Sequence, residues 1–171
     1  MKKIFGLGLS RTGTTTLNET LIRMGYNTIH YPSHNQLFSD NNDGATDIPV
    51  IPVYPTLDAM FKGSKFILTI RDKEKWMNSM HPYLERKRSW NQSTTQVQLR
   101  VDVYGAPFFE KEKYSATFDN HYNNVIEYFK NRPDDLLILD ILGGESPKKL
   151  YDFLGHKNPP ETFGHWNILK K

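Results

Sequence analysis

Residues 8–16 read Gly-Leu-Ser-Arg-Thr-Gly-Thr-Thr-Thr. The spacing Gly8-x4-Gly13, set between an apolar run and a helix-like run, suits a loop that turns several backbone N–H groups toward one point. A helix starting just after it adds roughly half a positive charge there. Ser10, Thr12, Thr14, Thr15 and Thr16 are small and carry hydroxyls, so an anion can approach closely and accept further bonds. The expected ligand is a phosphate-like group. In nucleotide-hydrolysing loops a lysine follows the second glycine and reaches the terminal phosphates, and a hydroxyl holds magnesium. Thr14 stands in that lysine's place, while Arg11 supplies a permanent forked cation from inside the loop. Asp140, at the end of "LLILD", is the sole candidate for the magnesium-bearing acid of such enzymes.

The elements that must hold this loop follow from periodicity. Residues 3–9, 26–31, 65–70 and 135–141 read as strands, the first, third and last continuously apolar. Residues 14–24 read as a helix with Leu17, Leu21 and Met24 on one face, ended by Gly25. Helices are also expected at "TLDAMFKG", from Asp72 as N-cap, over 92–104 and 110–131, and over 146–155 with Ser146 capping and Pro147 at the first position. Pro32 to Pro55, rich in Pro, Asn, Asp and Gly, reads as a long loop with little regular structure. Strands alternating with helices predict an α/β fold: three layers, helix on sheet on helix, around a mostly parallel sheet of about four to five strands. Ligands of such sheets sit at the strands' carboxyl ends, which directs attention to 10–15, 30–47, 71–79 and 142–146.

The chain has 171 residues, the size of one domain, so a single domain over 1–171 is expected. It has no cysteine, which excludes disulfides, thiol nucleophiles and cysteine-held metals. No clustered His/carboxylate set suggests a metal site. No apolar run approaches the ~20 residues of a membrane span, and the short glycine-broken N-terminal run reads as a strand rather than a signal peptide. A cytoplasmic protein is expected. A net charge of +3 suits an anionic ligand but does not imply nucleic acid.

Beyond the loop, "FILTIRDKEKWMNS" places Arg71 directly after a strand and Ser79 eight residues on. Together, "SRTGTTTL" and this segment resemble the two donor-binding motifs of sulfotransferases that use 3′-phosphoadenosine 5′-phosphosulfate, and the "RD-x-x-x-W-x-x-S" form resembles a compact branch of that family. "LLILDILGGESPKKLYDFLG" and the ending "TFGHWN" are similar to the same branch. The resemblance covers most of the chain and is weakest over 80–130. The chain departs from it in lacking the Gly-x-x-Gly-x-x-Lys segment of larger members and in carrying Thr16 where many have tryptophan.

The resemblance implies a fold like that of the P-loop nucleotide-hydrolysing enzymes. It also implies sulfuryl transfer to a hydroxyl or amine of a small-molecule or glycan acceptor, without a metal, releasing adenosine 3′,5′-bisphosphate. Ser10, Arg11, Thr12, Gly13, Thr14 and Thr15 would hold the 5′-phosphosulfate, with Arg11 on the bridging oxygen. Arg71 and Ser79 would hold the 3′-phosphate, and Trp166 or Phe163 could stack on adenine. A hydroxyl acceptor needs a base. His30, His34, Asp43 and Asp47 all lie after the second strand. Asp47 ranks first, because Asp-Ile-Pro resembles an Asp-x-Pro element of the compact branch. A small-molecule kinase and a non-catalytic nucleotide-binding protein remain the alternatives. The aromatic helices over 99–131 could line an acceptor pocket or a homodimer contact.

Overall fold

The computed structural model describes residues 2–88 and 91–164. They fall into two compact units, one formed by the chain up to Arg71 and from Arg132 onward, the other by Asp72–Asn131.

The first unit is built on a sheet whose strands are β1 (Ile4–Gly6), β2 (Thr28–His30), β3 (Gly44–Thr46), β4 (Lys65–Thr69) and β5 (Leu136–Leu139). All neighbouring pairs are parallel, in the order β2-β3-β1-β4-β5. Every strand therefore delivers its carboxyl end to the same edge. Alternation along the strands makes two apolar faces. Ile4, Ile67 and Leu139 point to one face and pack against Leu17 and Leu21 of α1 (Thr14–Arg23). Leu150, on a later helix introduced below, joins the same cluster. Leu17 and Leu21 are fully buried, and each such side chain stabilises the fold by about 1.5–3 kcal/mol. Phe5 and Phe66 point to the other face, stacked with centroids 5.6 Å apart, with Phe61 at 6.1 Å from Phe5.

The segment 32–55, expected as a loop, is structured. It holds α2 (His34–Leu37), then β3, then a 3-10 turn over Ile48–Val53 that runs into α3 (Tyr54–Met60), directly before Phe61. The three-layer α/β/α arrangement is thus present, with a fifth strand that the apolar pattern does not reveal. β3 reads Gly-Ala-Thr, too short and too small to show as an apolar run. It nonetheless sits between β1 and β2, because a side chain at Gly44 would meet the Ile4 carbonyl at 1.8 Å and only glycine allows the approach. The segment is also tied from below. The buried Lys3 ammonium donates to the carbonyls of Ser39 and Asn42 and to Asn42 Oδ1, and lies 4.5 Å from the Phe61 ring centre. Burial lowers the Lys3 pKa, and Asp40 and Asp43 partly oppose that shift.

The second unit is helical: α4 (Lys73–Arg88), α5 (Thr94–Tyr104) and α6 (Lys111–Phe129). Asp72 Oδ1 accepts from Lys75 N, as expected of an N-cap. Trp76 is fully buried among Tyr104, Tyr114 and Phe118, its ring centre 5.0 Å from that of Phe118. Trp76 is therefore core. The chain then returns to the first unit through β5 and ends the described region after α7 (Lys148–Phe153), the helix that carries Leu150; Ser146 Oγ accepts from Lys148 N at its start.

Candidate anion-binding site at the carboxyl edge of the sheet

The loop after β1 is shaped from within. Thr12 N and Thr12 Oγ1 both donate to the Leu9 carbonyl, at 3.2 and 2.7 Å, closing a tight turn. Thr12 Oγ1 also lies 2.6 Å from Thr69 Oγ1 at the end of β4, and both side chains are fully buried. Gly8 makes room for that hydroxyl pair, since a Cβ there would meet Thr69 Oγ1 at 1.7 Å and Thr12 Oγ1 at 2.6 Å. Gly13, with φ 101°, stands at the N-cap of α1, and no side chain caps the helix. Its carbonyl accepts from Leu17 N at 2.9 Å, so Thr14, Thr15 and Thr16 form the first turn. The first N–H groups of a helix have no partner inside it and favour an anion. Arg11, between these turns, has φ 71°.

Three neighbouring strands bring side chains to this loop. After β4, Arg71 Nη1 donates to the Arg11 carbonyl at 3.0 Å, so two guanidinium-bearing residues meet on one loop. After β3, Asp47 adopts φ 83° and ψ 178°, a backbone region nearly confined to glycine. Its carboxylate is held on both oxygens. Oδ1 accepts from Ile48 N at 2.8 Å and from Ser10 Oγ at 3.4 Å, and Oδ2 lies 3.3 Å from His30 Nε2. His30, the last residue of β2, also places Nε2 3.1 Å from Thr15 Oγ1 and Nδ1 3.1 Å from Thr46 Oγ1. Thr46 Oγ1 lies 3.5 Å from Asn18 Oδ1 on α1.

The structure thus gathers Ser10, Arg11, Thr12, Gly13, Thr15, Arg71, His30 and Asp47 at one edge. Thr14 is buried in the first turn of α1. The other candidates lie elsewhere. Asp43 stands at the opposite, amino end of β3, where Oδ2 accepts from Asn27 N at 2.7 Å. The three residues of β3 separate it from Asp47, four steps with a rise of about 13 Å. His34 is exposed on α2, its ring centre 4.8 Å from that of Phe38. Ser79 is half-buried on α4 in the second unit. Trp166 lies outside the described residues. Phe163 is buried in the core cluster with Leu17 and Leu150. Asp140 closes its own turn, accepting from Gly143 N at 2.7 Å, just after β5, a strand separated from β1 by β4. Thr46, Asn18 and Thr69 join the site without having been singled out in the sequence. Asn18 could have been found, since it lies three and four residues from Thr15 and Thr14 on α1.

Such an edge can bind an anionic group at a helix start, with the Arg71 guanidinium and a carboxylate beside it. Among the described residues there is no group of three or more His, Cys, Asp or Glu side chains that could hold a metal ion, and no helix long and apolar enough to cross a membrane. The fold is a parallel α/β sheet with a glycine-bearing strand-to-helix turn at its carboxyl edge. A family model described as a sulfotransferase domain matches residues 3–39 and 33–171, so the chain belongs to that sulfotransferase family. No curated protein matches the chain.

Proposed function

We propose that the chain moves a sulfuryl group from 3′-phosphoadenosine 5′-phosphosulfate to a hydroxyl of a small-molecule or glycan acceptor. The observation that carries this reading is the bond from Arg71 Nη1 to the Arg11 carbonyl, which joins a second cation to the anion-binding loop. A donor with both a 5′-phosphosulfate and a 3′-phosphate presents two anionic groups, and a nucleoside monophosphate presents one. The first turn of α1 and the hydroxyls of the loop suit the 5′-phosphate, and Arg71 suits the 3′-phosphate. Ser79 is assigned to the 3′-phosphate on the resemblance of its motif alone.

In this reading the S–O bond to the phosphate breaks as an S–O bond to the acceptor forms. Arg11 stabilises the charge that grows on the phosphate oxygen left behind. Asp47 takes the acceptor's proton; it is buried, aimed by Ile48 N, and next to the loop. Positioning and charge stabilisation suffice for such a transfer, as they largely do for phosphoryl transfer.

The test is transfer of labelled sulfate to an acceptor panel in excess EDTA, under single-turnover conditions with donor saturating. Transfer is expected to persist under chelation, and Arg11→Ala is expected to lower it about 10²–10³-fold while product affinity changes less. Loss of transfer on chelation with rescue by magnesium and ATP would move the protein to the kinase class. A wild-type rate from Arg11→Ala would remove the catalytic role of the loop arginine.

A further inference from the structure

His30 contacts both the base and the loop, and the pattern of its bonds decides what it does. Its two ring nitrogens are both engaged. Nδ1 faces Thr46 Oγ1 at 3.1 Å, and Nε2 faces Thr15 Oγ1 at 3.1 Å and Asp47 Oδ2 at 3.3 Å. A neutral imidazole carries one N–H. A proton on Nδ1 would leave the Nε2 lone pair against a carboxylate oxygen. A proton on Nε2 gives a charge-assisted bond to Asp47, roughly twice as strong as a neutral one. It also lets Thr46 donate to Nδ1. The Thr46 hydroxyl has one proton for two acceptors, and the bond to His30 is shorter than the 3.5 Å contact to Asn18 Oδ1. Asp47 is the charged group facing the ring. The other groups in contact with it, Thr15 on α1 and Thr46 on β3, are neutral hydroxyls.

With Nε2–H in place and the Nδ1 lone pair accepting from Thr46, neither nitrogen is open to an acceptor's proton. We infer that His30 is a positioning residue rather than the base: its Nε2–H bridges Asp47 Oδ2 and Thr15 Oγ1, coupling the carboxylate to the anion-binding loop. The inference rests on the functional reading above and assigns His30 a part in it. Two consequences follow from the geometry. The Thr15 oxygen accepts from the ring, so its own proton is directed away from His30. The same N–H is shared with the Asp47 carboxylate, so a disturbance of the first turn of α1 is felt at the carboxylate through one shared donor.

Two measurements on the full chain test this. The first is the neutral tautomer of His30, read from 15N shifts of labelled histidine at alkaline pH without ligand. The Nε2–H form is expected, and the Nδ1–H form overturns the inference whatever the nucleotide does. The second is calorimetric binding of adenosine 3′,5′-bisphosphate to a double-mutant cycle. His30→Ala is expected to weaken binding about tenfold in the wild-type background, and less than about twofold in Thr15→Val, because its effect passes through Thr15. His30→Gln, which can place an amide N–H near Nε2, is expected to recover binding to within about threefold of wild type. Equal losses in both backgrounds, or His30→Gln as weak as His30→Ala, overturn the inference. A wild-type chain that binds no bisphosphate overturns the donor assignment instead, and the tautomer still decides the role of His30.

Discussion

Gly8→Ala is the perturbation with the best-defined consequence. The added methyl would sit 1.7 Å from Thr69 Oγ1, 2.6 Å from Thr12 Oγ1 and 3.1 Å from Thr14 Cγ2. Neither hydroxyl is the end of a long side chain that can swing aside, and both threonines are fully buried. Overpacking of this kind costs about 1–3 kcal/mol. Prising apart the 2.6 Å Thr12–Thr69 contact adds about 1 kcal/mol. Gly8→Ala should therefore destabilise the chain by about 2–4 kcal/mol and distort the turn that carries Arg11. Thr69→Ala alone should cost about 1 kcal/mol, since Thr12 keeps its bond to the Leu9 carbonyl. In the double variant the nearest clash is gone and Thr12 is free of Thr69, so the double variant should be more stable than Gly8→Ala alone. A coupling of about 1–2 kcal/mol is expected. Urea denaturation measures the stabilities, and calorimetric binding of adenosine 3′,5′-bisphosphate follows the loop. Simple additivity of the two single costs would show that Gly8 is not held against Thr69, and the packing account of the loop would fail.

Arg71→Ala should weaken binding of adenosine 3′,5′-bisphosphate far more than binding of AMP, by about 1.5–3 kcal/mol for a charge-assisted contact; equal losses measured by calorimetry would mean that Arg71 does not read the 3′-phosphate. Tyr114 is fully buried, and burial raises its pKa, with Arg100 opposing and Glu110 and Tyr83 adding to the shift. The unfolded chain then releases this proton near pH 10 while the folded chain keeps it, so the Tyr114 contribution is complete below that pH and is lost as pH rises toward the folded value. Stability followed by urea denaturation should fall less steeply above pH 10 in Tyr114→Phe, by about 1.4 kcal/mol per pH unit, and identical slopes would contradict the burial of the phenol.

The parts of the fold that the sequence discloses are those where one local pattern suffices. α1 is legible because Leu17 and Leu21 repeat at helical spacing, and β4 because it is apolar on both faces. Arg71 is legible because it directly follows that strand. β3 is not legible: Gly44 is there for its missing side chain, a requirement set by the Ile4 carbonyl of a strand forty residues earlier. Missing β3 has a direct cost at the site. In a loop, only the resemblance of Asp-Ile-Pro ranks Asp47 above Asp43; on a strand they are sent to opposite ends of the sheet. The same omission hides Thr46, whose hydroxyl meets His30 only because β3 lies beside β2. Separating His30 from His34 likewise needs the sheet: one ends a strand at the loop, and the other starts an exposed helix turn.

Backbone strain marks the same edge independently of any motif. Among the described residues, the non-glycine residues with positive φ are Arg11, Tyr31, Asp47 and Asn158. The first three follow β1, β2 and β3, the strands whose carboxyl ends carry the loop, His30 and the carboxylate. Each such residue costs on the order of 1–3 kcal/mol unless its surroundings hold it. Asp47, at φ 83° and ψ 178°, occupies the conformation that most favours glycine. Its bond from Ile48 N stabilises by about 1.5–3 kcal/mol, so the strain and that bond nearly cancel. Stability alone therefore gives no reason to prefer an aspartate there over a glycine. What the side chain adds is a buried carboxylate with its second oxygen directed at His30, beside the loop that holds Arg11. A strained carboxylate kept where glycine would serve the backbone equally well is what the proposed role of Asp47, taking an acceptor's proton at that edge, would require.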